Sequence, residues 1–110
     1  MEKNEYARRK TLNIAFHAIG RIINELSLSS DIEEKAKDIY IQAYEKKLTS
    51  PRGIGVVAAV SILIACRRSK IKIDFNKIAE VSRKTKNEIR LGYEAVASKL
   101  FPKEIELGQN

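Results

Sequence analysis

One cysteine, no tryptophan, two prolines and five glycines leave this chain few architectures to choose from. With Cys66 as the sole cysteine, neither an internal disulfide nor a four-cysteine zinc site can form, and with no visible secretion signal a reducing, intracellular setting is expected. The first residues, Met1 to Glu5, are polar and contain no apolar signal-peptide stretch. No apolar run reaches the roughly 18 residues that a membrane span requires. The longest, Ile54 to Cys66, is 13 residues and is interrupted by Gly55 and Ser61. His17 is the only histidine and has no second ligand at metal-binding spacing, so no metal site is expected. No Ser/His/Asp set is apparent, and Gly53-Ile54-Gly55 lacks the rest of any phosphate-cradling fingerprint. The sequence therefore points away from an enzyme and calls for no cofactor.

What is present is a globular composition, 44% hydrophobic and 32% charged over 110 residues, enough for one domain with its own core. The net charge of +7 is unevenly placed. Residues 11–66 are neutral overall, whereas residues 67–90 carry nine basic groups against Asp74, Glu80 and Glu88. Those nine are Arg67, Arg68, Lys70, Lys72, Lys77, Arg83, Lys84, Lys86 and Arg90. Concentrated positive charge is the electrostatic footprint of a nucleic-acid binder. Charge alone fits a solvated, lysine-rich surface equally well.

Apolar spacing predicts an all-α domain of five helices. The first runs from about Tyr6 to Ser27, with Leu12, Ala15, Phe16, Ile19, Ile22, Ile23 and Leu26 on one stripe. The second begins near Ser30, with Ser29, Ser30 or Asp31 as N-cap, and fades near Leu48 before Pro51. The third, Ile54 to Arg67, has no polar face and must be buried all round. Periodicity admits a buried strand there; length and the alanines favour a central helix. The fourth is short and capped by Asp74; the fifth follows Thr85, with Glu88 at capping-box spacing, and ends before Pro102. Only Ser82, Arg83 and Lys84 separate those two helices, a helix-turn-helix arrangement without the usual turn glycine. Residues 1–10 read as a polar N-terminal extension, 11–101 as the domain and 102–110 as a C-terminal tail. Tyr40, Tyr44 and Phe16 fall on apolar stripes as core residues, and Cys66 reads as an inert core thiol.

From about Asn13 to Leu100 the chain resembles the first cyclin-like repeat of archaeal transcription factor B and eukaryotic transcription factor IIB. The likeness rests on Asn13-Ile14-Ala15-Phe16 with Gly20-Arg21-Ile22, and on Ile32-Glu33-Glu34-Lys35-Ala36 leading to Ile39-Tyr40. It continues in Val56-Val57-Ala58-Ala59 to Ile64-Ala65-Cys66-Arg67, and in Ile78 to Arg83 followed by Lys86, Glu88-Ile89 and Tyr93. The resemblance implies a cyclin fold that contacts promoter DNA beside the TATA element together with TATA-binding protein. RNA polymerase would be engaged through parts of the family's architecture that these residues do not include.

The resemblance also implies roles. Arg52 takes the place of the loop arginine that reaches the minor groove, Arg67 closes the central helix, and Lys86 faces an acidic partner surface. With the charge cluster, this makes Arg52, Arg67, Arg68, Lys70, Lys72, Arg83, Lys84 and Arg90 the candidate DNA-binding residues. Pro51, Lys72-Ile73-Asp74 and Arg90-Leu91 depart from the family's usual residues and bear on the details of DNA contact. Neither a zinc ribbon nor a second repeat is present, so the chain is expected to be a fragment or a short, divergent relative. The competing reading is a cyclin-like protein-interaction module that modulates transcription without touching DNA.

Overall fold

The computed structural model describes residues 2–103, with side chains from Glu5 onward. It contains five helices: α1 (Glu2–Glu25), α2 (Ser30–Glu45), α3 (Ile54–Arg68), α4 (Phe75–Ser82) and α5 (Lys86–Leu100). Among the described residues there is no strand, and none of these helices is long and apolar enough to cross a membrane.

The centre is α3, which touches each of the other four helices. Every residue from Val56 to Cys66 is buried, as a helix apolar on all sides demands. Its single core hydroxyl, Ser61, donates to the Val57 carbonyl at 2.8 Å and so is not left unpaired. Around it pack Ile19, Ile22 and Ile23 of α1, Ile32, Ile39 and Tyr40 of α2, Ile78 of α4, and Ile89 and Val96 of α5. Cys66 is buried and its thiol is pushed up by desolvation, as an inert core cysteine should be.

The helix starts follow the expected chemistry. Ser29, the first of the three candidate residues, caps α2 by accepting from the Ile32 N–H. Asp74 caps α4, and Thr85 and Glu88 form a complete capping box on α5. The first helix is the main difference. It starts at Glu2 rather than near Tyr6, so the polar residues 2–10 are helical, and Arg8 reaches Glu45 of α2 at 3.2 Å. Of the tail at 102–110, only Pro102 and Lys103 fall within the described residues.

The helix ends share one device. After α1, α2, α3 and α4 the chain turns through a residue with positive φ: Ser27 (54°), Lys47 (60°), Lys70 (60°) and Arg83 (62°). At each, the N–H of that residue and of the next reach back to carbonyls of the last turn, as Lys70 to Arg67 and Ile71 to Cys66 do. These are Schellman caps built without glycine.

Tyr40 leaves a polar atom unpaired in the core. Its hydroxyl is buried with no hydrogen-bond partner among the described residues. Desolvation pushes the phenol up to about 12; buried Thr49 stands close enough to oppose that rise but falls short of a hydrogen bond. The folded phenol thus holds its proton more tightly than the unfolded chain does. Its contribution to stability is whole below pH 10 and declines as pH climbs towards 12. Tyr40→Phe removes both the titration and an unpaired polar atom. Urea unfolding across pH 8–12 should show a shallower alkaline decline for the variant, and stability at pH 7 equal to or up to ~1 kcal/mol above wild type. A variant that tracks the wild-type alkaline decline would rule out Tyr40 as its source.

Candidate nucleic-acid interface

The basic residues gather at the two ends of α3, which at about 1.5 Å per residue stand roughly 20 Å apart. At the N-terminal end the chain leaves α2 through a turn in which the N–H groups of Arg52 and Gly53 both donate to the Thr49 carbonyl, at 3.2 and 2.8 Å. Thr49 is buried, so the turn is anchored and Arg52 is presented on its outer side. Gly53 follows with φ of 90°, a conformation that favours glycine, and opens α3 without a side-chain cap. The stem of Arg52 runs beside Gly92 of α5, its Cδ 3.8 Å from where a Cβ there would lie. With Pro51, Val56, Glu88 and Leu91 it lines a recess of about 190 Å³, whose rim includes the exposed Leu91.

Lys84 comes to the same place from the turn between α4 and α5. Its Cε and Nζ lie 2.9 and 3.3 Å from the position a Cβ on Gly55 would take, so the missing side chain lets the ammonium settle against the first turn of α3. Arg83, on the same turn, and Lys86, the first residue of α5, are exposed. Arg52, Arg83, Lys84 and Lys86 have no carboxylate within ion-pair distance among the described residues. Glu88 is the local acid. The backbone N–H of Thr85 donates to it at 2.9 Å, and that bond, with the Thr85 side chain and the Lys84 charge, holds its carboxyl below the usual range.

The opposite end of α3 carries Arg67, Lys70 and Lys72, all exposed. The Arg67 guanidinium lies 5.1 Å from the centre of the Tyr93 ring. The adjacent Arg68 points elsewhere. It stacks 3.9 Å over Phe101 and lines a groove of about 370 Å³ with Glu34 and Asp38 of α2. Arg90 bonds to Asn87 and lies 4.0 Å from Glu94, and Lys77 lies 3.9 Å from Glu80, so these two charges are partly neutralised along their own helices. The residues expected to bind DNA are thus brought into two groups, with Arg68 and Arg90 outside both. Sequence reading missed the contribution of Leu91 beside Arg52 and the seating of Lys84 on Gly55. The only sequence signal for the latter was a glycine at the second position of a buried helix. Among the described residues no group of three or more His, Cys, Asp or Glu is placed to hold a metal.

A five-helix domain with one helix enclosed by the other four and a helix-turn-helix-like last pair is a cyclin-type repeat. The family model of the transcription factor TFIIB repeat matches residues 8–99, and the chain belongs to that family. It is 36% identical over 94 residues to the transcription initiation factor IIB of Methanothrix thermoacetophila, covering 86% of this chain and 28% of that protein. The transcription initiation factor IIB of Methanococcus maripaludis matches to the same extent. Transcription initiation factor IIB 1 of Thermococcus kodakarensis is 34% identical over 94 residues, 31% of its length. The chain thus spans less than a third of the curated relatives it matches.

Proposed function

We propose that the chain acts in transcription initiation as a repeat that contacts promoter DNA next to the TATA element, together with TATA-binding protein. Such a role belongs inside the cell. The observation that carries this reading is the approach of Lys84, flanked in sequence by Arg83 and Lys86, to the same N-terminal end of α3 that Arg52 precedes. Cations without a carboxylate partner on a rigid frame, here three exposed and Lys84 half-buried, bind phosphates by counterion release. Arg52, beside the apolar surfaces of Pro51 and Leu91, is the side chain suited to a narrow minor groove. Lys86, at the start of α5, faces outward and is available to an acidic surface of TATA-binding protein. A single repeat binds one side of such an assembly, so its affinity for DNA depends on the partner.

The test is binding of the chain to a TATA-containing duplex, with and without TATA-binding protein, at low and moderate salt. Affinity should fall steeply with salt, and Arg52→Glu with Lys84→Glu should weaken it about tenfold or more. Lys70→Glu with Lys72→Glu should change it far less. Binding indifferent to Arg52 and Lys84 in every condition contradicts the proposal.

A further inference from the structure

We infer that the groove between the end of α3 and the start of α4 is a docking site for an acidic, amphipathic segment of a partner protein. This is independent of the DNA contact proposed for the other end of α3. The groove holds about 650 Å³ and is lined by Arg67, Lys70, Ile71, Lys72, Ile73, Asp74 and Phe75. Its three cations have no carboxylate within ion-pair distance among the described residues. The one acid, Asp74, is engaged: its Oδ1 accepts the Lys77 N–H at 2.9 Å as the cap of α4. The rim therefore sets three cations against one carboxylate and is net positive.

The apolar side of the groove is unusual within this fold. Three of the four Schellman caps place an apolar residue just after the positive-φ position: Leu28, Leu48 and Ile71. The apolar residue there ordinarily folds back onto its own helix. Leu28 and Leu48 pack against the core, whereas Ile71 is 36% exposed and stands in the groove beside Ile73 and Phe75. Phe75 meets Tyr93 edge to face at 6.0 Å, and Tyr93 in turn carries the Arg67 guanidinium. The cation at the mouth is thus held in position before anything binds, which lowers the ordering cost of association.

A cationic rim around an aliphatic and aromatic floor is complementary to a segment with carboxylates on one face and Leu or Phe on the other. A phosphodiester backbone would satisfy the rim and leave the floor wet.

The experiment titrates the full chain into a fluorescein-labelled synthetic peptide of about 15 residues that carries Asp and Glu on one helical face and Leu and Phe on the other. Polyglutamate of equal charge is the comparison. The amphipathic peptide should bind at least about tenfold more tightly than polyglutamate, a difference of about 1.4 kcal/mol. Ile71→Ser and the pair Lys70→Glu with Lys72→Glu should each weaken it about tenfold, while Arg52→Glu leaves it unchanged. Ile71 and both lysines are exposed, so unchanged circular dichroism melts are expected and separate lost binding from lost fold. Equal binding of polyglutamate, or indifference to Ile71→Ser, overturns the proposal. A loss of duplex affinity in the lysine pair as large as in Arg52→Glu would assign the groove to DNA, and a dimer in sedimentation that Ile71→Ser abolishes would assign it to a second copy. Either result overturns it.

Discussion

The chain carrying Ser27→Gly, Lys47→Gly, Lys70→Gly and Arg83→Gly is expected to melt roughly 10–20 °C above wild type, on a gain of about 3 kcal/mol. All four positions hold positive φ between 54° and 62° in Schellman caps, and none is glycine. A side chain with a Cβ is strained in this conformation by about 1–2 kcal/mol, of which glycine's greater freedom in the unfolded chain returns a part. About 0.5–1 kcal/mol per site is the net expectation, and sites on separate connections should add. Differential scanning calorimetry of the four single variants and the quadruple variant checks both the sign and the additivity. A quadruple variant no more stable than wild type would show that the strain is already relieved. Two of the four substitutions remove cations near the ends of α3, Lys70 from the groove and Arg83 from the turn proposed to contact DNA. Stability gained there should come with weaker binding, the exchange expected where a strained position carries a functional side chain.

Gly92→Val should lower stability by about 3 kcal/mol, and Gly92→Ala by about 1 kcal/mol, in spite of the better helix propensity of both residues. A Cβ at position 92 would lie 2.8 Å from Cγ1 of Val56 and 3.1 Å from Cγ2 of Val60. Those methyls belong to stiff, β-branched, buried side chains on α3, and α3 is hemmed in by the other four helices, so neither can retreat cheaply. The helix-propensity gain from replacing glycine, at most ~1 kcal/mol, is smaller than the overpacking it causes. The check is denaturant unfolding of Gly92→Ala alone, Val56→Ala alone and the two together. If the close approach is real, the pair is less destabilised than the sum of the singles. The stem of Arg52 lies 3.8 Å from the same point, so Gly92→Val should also displace that side chain and weaken the DNA contact proposed for it. A fully stable Gly92→Val chain would show that α5 does not approach α3 this closely.

The fold was legible because its strongest signals are local. A segment without a polar face had to be the centre, and Asp74 and Thr85 announce the last two helices through their own side chains. The start of α1 was not legible, since its first turns are polar. A contact 37 residues away, Arg8 with Glu45, is part of what holds them. The charge cluster was legible as a count but not as a surface. Arg67 and Arg68 are neighbours in sequence, yet successive helical residues point about 100° apart, so one faces Tyr93 and the other Phe101 and the acids of α2. Arg52 lies outside the cluster in sequence and joins Lys84 only because α5 runs beside α3. A tally of charge along the chain sees one patch where the fold makes two.

The two ends of α3 are proposed to have different partners, with DNA at the N-terminal one. Amide chemical shifts of the labelled chain, followed by NMR during titration with a TATA-containing duplex and TATA-binding protein, test it directly. Shifts confined to Arg52–Gly55 and Arg83–Glu88, with Lys70–Phe75 unmoved, are the predicted result. Shifts centred on Lys70–Phe75, with Arg52 and Lys84 silent, would contradict it.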